Sequence, residues 1–402
     1  MSVPTPSFPW WLRVVDAVGE AGRRAGLQAG LLDAETMLAR AAAAEGHERF
    51  GAGTAAMLGE LCGSLKQDAR LAYHGRVHLD AMLTGSLRVR LRLEAARVQA
   101  PAIDRPPARP PLIVCGLPRS GTTLLHRLLA LADDARPLLL WELMEPIAGP
   151  GPDRRREQSD GKIRRLQRFV PVSLDAQHFI RGDLPDEDGH LFKPSFVSSL
   201  QYQAPALGWL QALLKDELEV GYVNWRALLA LLEAPGRRFV LKDPFHARRL
   251  ATITRLVPEA MIVRTHREPA EVLPSFHKLT MTMHAVTCTR LAVPAIVAAN
   301  TAWIESITDA CVAAPPGAMA RVVDVDYRAL VRDPVATARA IHARFGLAWS
   351  EALERRMREF VAANGQRKHG ENRYEAAAFG QTTAGLHERF AGYRRVFGLD
   401  AG

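Results

Sequence analysis

The chain has 402 residues, 48% of them hydrophobic and 24% charged. These are ordinary globular values, and the length allows two or three domains with cores that need no disulfide staples. A disordered tail, a collagen-like repeat and a disulfide mini-scaffold are thereby excluded. Lys plus Arg number 52 against 43 Asp plus Glu, a net charge of +9 that favours anionic partners: phosphates, sulfates, nucleic acid or an acidic membrane face.

The opening MSVPTPSFPWWLRVV lacks a basic start followed by an apolar run, so no signal peptide is expected. No stretch reaches about 18 uninterrupted apolar residues, so no transmembrane segment is expected either, and the protein reads as cytoplasmic. Residues 1 to about 100 are Ala-rich, with helical apolar spacing over 27–44, 55–65 and 71–98. They read as a helical cap on the main domain. Five prolines fall between 101 and 111, a pattern that suits neither a helix nor a central strand. It reads as a linker and divides a 1–109 helical region from a domain at 110–402.

Leu112-Ile113-Val114-Cys115 is an unbroken apolar run, as in a strand buried on both faces. A Gly-rich turn and a helix over 123–131 follow. Strands are predicted at 138–140, 238–241, 260–263 and 321–325, with helices over 246–256, 270–279 and 328–344. Strands alternating with helices predict an α/β fold with a parallel β-sheet flanked by helices. The span 150–235 reads as a mostly helical insertion. Within it, residues 153–168 carry seven basic and three acidic side chains. Without aromatic interleaving or a recognisable module, this stretch reads as a solvated helix face, and no nucleic-acid partner is expected.

The strongest signal is GLPRSGTT at 116–123, between strand and helix. Such a turn converges backbone N–H groups on an anion, and the helix N-terminus adds partial positive charge. Gly116 and Gly121 give the dihedral freedom, Arg119 the full charge, and Thr122 and Thr123 two hydroxyls. The glycine spacing is that of a nucleoside-triphosphate loop, but Thr122 stands where that loop has its Lys. The absent Lys argues against ATP hydrolysis with Mg²⁺; a kinase or nucleotide hydrolase is the alternative reading.

The run GLPRSGTTLLHRLL resembles the 5′-phosphosulfate loop of sulfotransferases that use 3′-phosphoadenosine-5′-phosphosulfate (PAPS). Thr265-His266-Arg267-Glu268-Pro269, with Ser275 eight residues after Arg267, is similar to the family's 3′-phosphate element. LLLWELMEP at 138–146, Pro185-Asp186-Glu187-Asp188, Leu241-Lys242-Asp243-Pro244, 325–330 before Asp333-Pro334, and two C-terminal stretches resemble its bacterial branch. The resemblance spans about 110–400. It implies a P-loop-type sheet and transfer of a sulfuryl group from PAPS, leaving 3′,5′-adenosine bisphosphate, with no metal. The acceptor is then a hydroxyl, less often an amine, of a small molecule, lipid or glycan.

By the same resemblance Gly116, Pro118, Arg119, Ser120, Gly121, Thr122 and Thr123 hold the 5′ end of the donor, and Arg267 and Ser275 the 3′-phosphate. Two departures stand out. Arg119 replaces the Lys of many eukaryotic members, and the family's Gly-rich terminal loop has only a loose counterpart at 366–370, with Arg367 and Lys368. Sulfuryl transfer runs in line through a loose transition state, so Arg119 is the expected stabiliser of charge on the bridging oxygen. Deprotonating the acceptor requires a base. Glu142 stands first, because a Glu in this region serves in branches without a catalytic His. His246 stands second, and Glu187 and Asp188, with His190 nearby, third. Lys242 is a candidate contact to the sulfuryl group. Trp141, Phe192, Phe196, Tyr202 and Trp209 either line an acceptor pocket or belong to the core. Basic, Ala-rich helical faces are compatible with a homodimer. Cys62, Cys115, Cys288 and Cys311 lack metal-ligand spacing and read as buried free thiols.

Overall fold

The computed structural model describes residues 4–27, 30–149, 151–167, 181–197, 203–215, 218–317, 319–364 and 375–399. Five parallel strands form the central sheet: β2 (Leu112–Gly116), β3 (Ala135–Pro137), β4 (Arg238–Lys242), β5 (Met261–His266) and β7 (Val322–Asp326), in the order β3-β4-β2-β5-β7. The apolar strands are unbroken because both faces are covered. Leu112 and Val114 enter one core with Leu125, Val263, Ile341 and Met357. Ile113 and Cys115 enter the other, with Leu241, Ile262, Trp303 and the N-terminal helical residues Leu79, Leu83 and Leu87. This alternation along one strand places helices on both sides of the sheet.

The N-terminal region contains α1 (Trp10–Arg24), α2 (Ala34–Glu45), α3 (Thr54–Asp68) and the 27-residue α4 (Tyr73–Gln99). The helix expected from residue 27 begins at 34, where Asp33 caps it by accepting from the Thr36 N–H at 2.9 Å. A two-stranded antiparallel ladder, β1 (Arg70–Leu71) with β6 (Cys288–Arg290), ties this region to the end of helix Pro269–Thr287. Its strands are too short to leave a sequence pattern.

Further expectations shift, among them the helix expected over 246–256, which is a 3₁₀ turn at Pro244–Arg248 and an α-helix at Leu250–Leu256. The second sheet strand lies at Ala135–Pro137, and the Leu138-Leu139-Leu140 run instead leads into helix α6 (Leu140–Met144), so Glu142 sits on a helix. The helix expected over 328–344 is two, Tyr327–Arg332 and Pro334–Phe345. Pro334 cannot continue a helix, and Asp333 caps the second one through the Ala336 N–H at 2.9 Å. All four cysteines are free and buried. No helix among the described residues is long and apolar enough to cross a membrane.

Candidate active site

The carboxyl ends of β2, β4 and β5 meet at one edge of the sheet, where ligands gather in open α/β folds. Val114 pairs with Lys242 on one side of β2, and Gly116 with Thr265 on the other. Gly116 has φ +132°, and a Cβ there would come within 2.2 Å of the Thr265 carbonyl oxygen. The chain then turns tightly, the Ser120 N–H donating to the Leu117 carbonyl at 3.3 Å. Pro118 and Arg119 occupy the corner. Pro suits the first corner position, and the second requires positive φ, normally glycine. Arg119 takes it at φ +65°. A non-Gly residue held there costs on the order of 1 kcal/mol and marks a position fixed by its surroundings.

A set of side-chain hydrogen bonds fixes it. The Ser120 hydroxyl is buried, bonded to the Leu117 carbonyl and 2.5 Å from the Thr265 Oγ1, which donates to the Cys115 carbonyl at 3.2 Å. The Arg267 Nη1 donates to the Arg119 carbonyl oxygen at 2.8 Å, and the Arg119 Nε donates to the Ser275 Oγ at 3.2 Å. Arg119, Arg267 and Ser275, named from separate stretches of sequence, are thus one cluster. Arg267 also pairs with Glu271 at 3.0 Å, and its guanidinium lies 4.2 Å above the Tyr327 ring. Tyr327 belongs to the 325–330 stretch, where nothing in the sequence marks it as a partner of Arg267. Gly121 caps α5 (Thr122–Leu129) at φ +84°, where a Cβ would meet Leu330 at 2.8 Å and Tyr327 at 3.3 Å. The first-turn N–H groups of α5 have no intrahelical partner and face the same loop. Thr123 is exposed, whereas Thr122 is buried.

A second cluster stands at the end of β4. Buried Lys242 donates to the Glu187 Oε1 at 2.7 Å, and the Glu187 side chain stays 23% exposed. Behind them the His246 ring lies between the Asp188 Oδ2 at 2.9 Å and the Tyr222 hydroxyl at 3.0 Å, while the Trp225 Nε1 donates to the same Asp188 oxygen at 2.6 Å. Burial disfavours the charged forms of both partners, but their mutual attraction outweighs it. His246 is held above its ordinary pKa and Asp188 below. Asp243, buried beside them, is pushed up to about 7 by burial and by Glu187. Buried His126, whose Nε2 donates to the Val240 carbonyl, is pushed down to about 4 by burial and by Lys242. Tyr222 and Trp225 sit three apart on helix Glu219–Leu231, a spacing that reads as core in the sequence.

Glu142 lies on the neighbouring segment, where Leu138 and Leu140 bond to the 184–186 backbone at 3.2 and 3.0 Å. Its carboxylate accepts two bonds from Arg136, at 2.6 and 3.0 Å, and one from the Leu139 N–H at 3.0 Å. It therefore caps α6 and closes an ion pair in the same contact.

Residues 110–351 match the family model described as the Sulfotransferase family. The chain belongs to the sulfotransferase family. Sulfotransferase STF1 of Mycobacterium tuberculosis H37Rv is 25% identical, with a TM-score of 0.72 over 89% of this chain and 98% of that one. Sulfotransferase STF9 of Mycobacterium avium is 23% identical, with a TM-score of 0.80 over 90% of this chain and 96% of that one, a likeness of fold. No curated protein matches the sequence.

In this sulfotransferase Phe192, Phe196 and Trp209 are buried in the core. Phe192 also meets Tyr222 edge to face at 4.8 Å, which makes it part of the wall around His246. Trp141 stacks under the Arg155 guanidinium at 5.5 Å. Tyr202, Arg367 and Lys368 lie outside the described residues. Among the described residues no group of His, Cys, Asp and Glu is arranged to hold a metal ion.

Proposed function

We propose that this sulfotransferase takes its sulfuryl group from PAPS and passes it to a hydroxyl of a small-molecule, lipid or glycan acceptor. One observation carries the reading: the loop cation Arg119 and the Arg267–Ser275 pair form a single cluster, within 3.2 Å of one another. A donor with two separate anionic groups needs such a double cradle, whereas a triphosphate with metal needs the Lys this loop lacks. The residues fit the donor in shape as well as charge. Gly116 and Gly121 keep the loop free of side chains, and α5 presents its first-turn N–H groups.

Bound PAPS supplies the activated sulfuryl group. Arg119 and the first-turn N–H groups of α5 hold the 5′ end and stabilise charge on the departing phosphate oxygen. Arg267 and Ser275 hold the 3′-phosphate. Lys242, kept in place by Glu187, is assigned to the sulfuryl oxygens. Acceptor deprotonation falls to one of two carboxylates on this edge, Glu142 or Glu187. The 150–235 insertion and the N-terminal helices are assigned to acceptor choice, since additions vary on a fixed nucleotide scaffold.

The test is thermal stability with 3′,5′-adenosine bisphosphate, and separately with ATP and Mg²⁺. Ligand at about 100 times its Kd adds roughly 2.7 kcal/mol. A rise in Tm with the bisphosphate, lost in Arg267→Ala, is the expected result. A rise with ATP and Mg²⁺ alone would put a kinase reading in its place.

A further inference from the structure

The exposed large apolar side chains concentrate on α1. Trp10 is 72% exposed, Val14 53% and Val18 68%, and Trp11 and Val15 are exposed beside them. At 3.6 residues per turn these five fall within an arc of about 140°. Small side chains, Ala21 and Ala25, continue it.

The opposite face of α1 is fixed to the body. Leu12 is buried, and Gly19 lies against the Tyr73 ring so closely that a Cβ would come within 2.2 Å. Asp16 accepts from the His74 N–H at 2.9 Å, and the His74 ring bridges Asp16 and the Val286 carbonyl at 2.8 Å each. The helix is thus docked by one face and turned outward by the other. Arg13 and Arg24 of α1 border the apolar arc on one side, and Arg23 lies beyond them toward the docked face. Of its two acids, Asp16 is taken by His74, and Glu20 by Arg23 at 2.6 Å and Arg24 at 3.6 Å.

We propose that α1 is a membrane-surface anchor that lays its Trp/Val face into an anionic lipid interface. Such helices combine an apolar face with basic borders and interfacial Trp, and they lie in the plane of the headgroups. The charge favours lipid over a second copy of the chain. A two-fold contact sets each face against itself. Glu20 is shared between Arg23 and Arg24 and Asp16 is held by His74, so no acid of α1 is left to answer Arg13 across such a contact. An anionic bilayer complements both the border and the +9 of the whole chain.

The experiment is co-sedimentation of the full chain with phosphatidylcholine vesicles containing about 30% phosphatidylglycerol, and with pure phosphatidylcholine. Binding to the anionic vesicles is expected, weaker by about ten-fold on pure phosphatidylcholine and by at least about ten-fold for the triple variant Trp10→Ser, Val14→Ser, Val18→Ser. These side chains are exposed, so the variant should keep the wild-type Tm; Val14→Ser alone, with an intermediate loss, serves if it does not. Equal binding to both vesicles, no binding to either, or unchanged binding by the variant overturns the proposal. A concentration-dependent dimer that the variant dissolves, without vesicle binding, would assign the face to a second copy.

Discussion

The Arg267 guanidinium donates to the carbonyl oxygen of Arg119 at 2.8 Å. Two arginines, 148 residues apart in sequence, are therefore coupled through the backbone of one of them. Arg267 acts as a cation at its own position and also pins the peptide that holds Arg119 at positive φ. The effects of replacing the two should not be independent.

Arg119→Ala is expected to lower kcat by about 10²-fold or more, the usual cost of removing one preorganised donor to a developing charge. Arg267→Ala should raise the donor KM and lower kcat as well, through the loosened turn. The double variant should fall short of the product of the two single effects. Strict additivity in steady-state kinetics would mean that the 2.8 Å contact does not couple them.

Much of this cluster was legible in the sequence. Gly116, Arg119 and Gly121 announce an anion loop by residue type and position. Arg267 and Ser275 were named through the resemblance to the sulfotransferase 3′-phosphate element, and they lie just past a strand end and on the next helix. The sheet strands β2, β4 and β5 were legible because burial on both faces leaves apolar runs, whereas the edge strand β7, half-buried and carrying Asp324 and Asp326, was legible from its valines and the helix that follows. The strand at Ala135–Pro137 was not: it is three residues long at the sheet edge, and the more apolar 138–140 run next to it gave the stronger signal. Tyr222, Trp225 and Asp188 were missed as a network around His246, because their meeting depends on how the 182–195 segment crosses over β4 rather than on any local spacing.

Ser275→Ala removes the hydroxyl that meets the Arg119 Nε at 3.2 Å. Ser275 is half-buried on a 19-residue helix, and alanine is a better helix former, so Tm should hold. The exposed bond to Arg119 adds little to the free protein, whereas the hydrogen bond assigned to the 3′-phosphate goes to a charged group and is worth about 1.5–3 kcal/mol. The expected outcome is a donor Kd raised by roughly ten-fold or more in calorimetric titration of 3′,5′-adenosine bisphosphate, with the acceptor KM unchanged.

The two carboxylates offered as the base part company in stability. Glu142→Gln weakens a bidentate bond to Arg136 and should cost about 2 kcal/mol, seen as a lower Tm. Glu187→Gln retains a hydrogen-bond acceptor but takes the counter-charge from buried Lys242, and should lower Tm further, by the equivalent of about 3 kcal/mol or more. The pH–rate profile names the base: its Gln variant loses the acidic limb of kcat and falls by about 10²–10⁴. His246→Ala should keep that limb while losing stability, because the ring is buried and engaged at both nitrogens.

Asp243 makes stability depend on pH in a direction that can be worked out. Its carboxyl is raised from 3.8 to about 7 in the folded chain by burial and by Glu187. An acid raised on folding favours the protonated form, so its contribution is fully present below pH 3.8 and is lost as pH climbs through about 7. His246, also raised, drifts the same way above its ordinary value, whereas Asp188, lowered, acts only in acid. Asp243→Asn mimics the protonated side chain and keeps an oxygen for the Phe245 N–H, which Asp243 accepts at 2.8 Å. The variant should match the wild-type Tm near pH 4 and exceed it by a few degrees near pH 8. Melting curves across that range are the check. A Tm difference that is flat with pH would mean that the buried carboxyl ionises freely, with Lys242 rather than burial setting its charge.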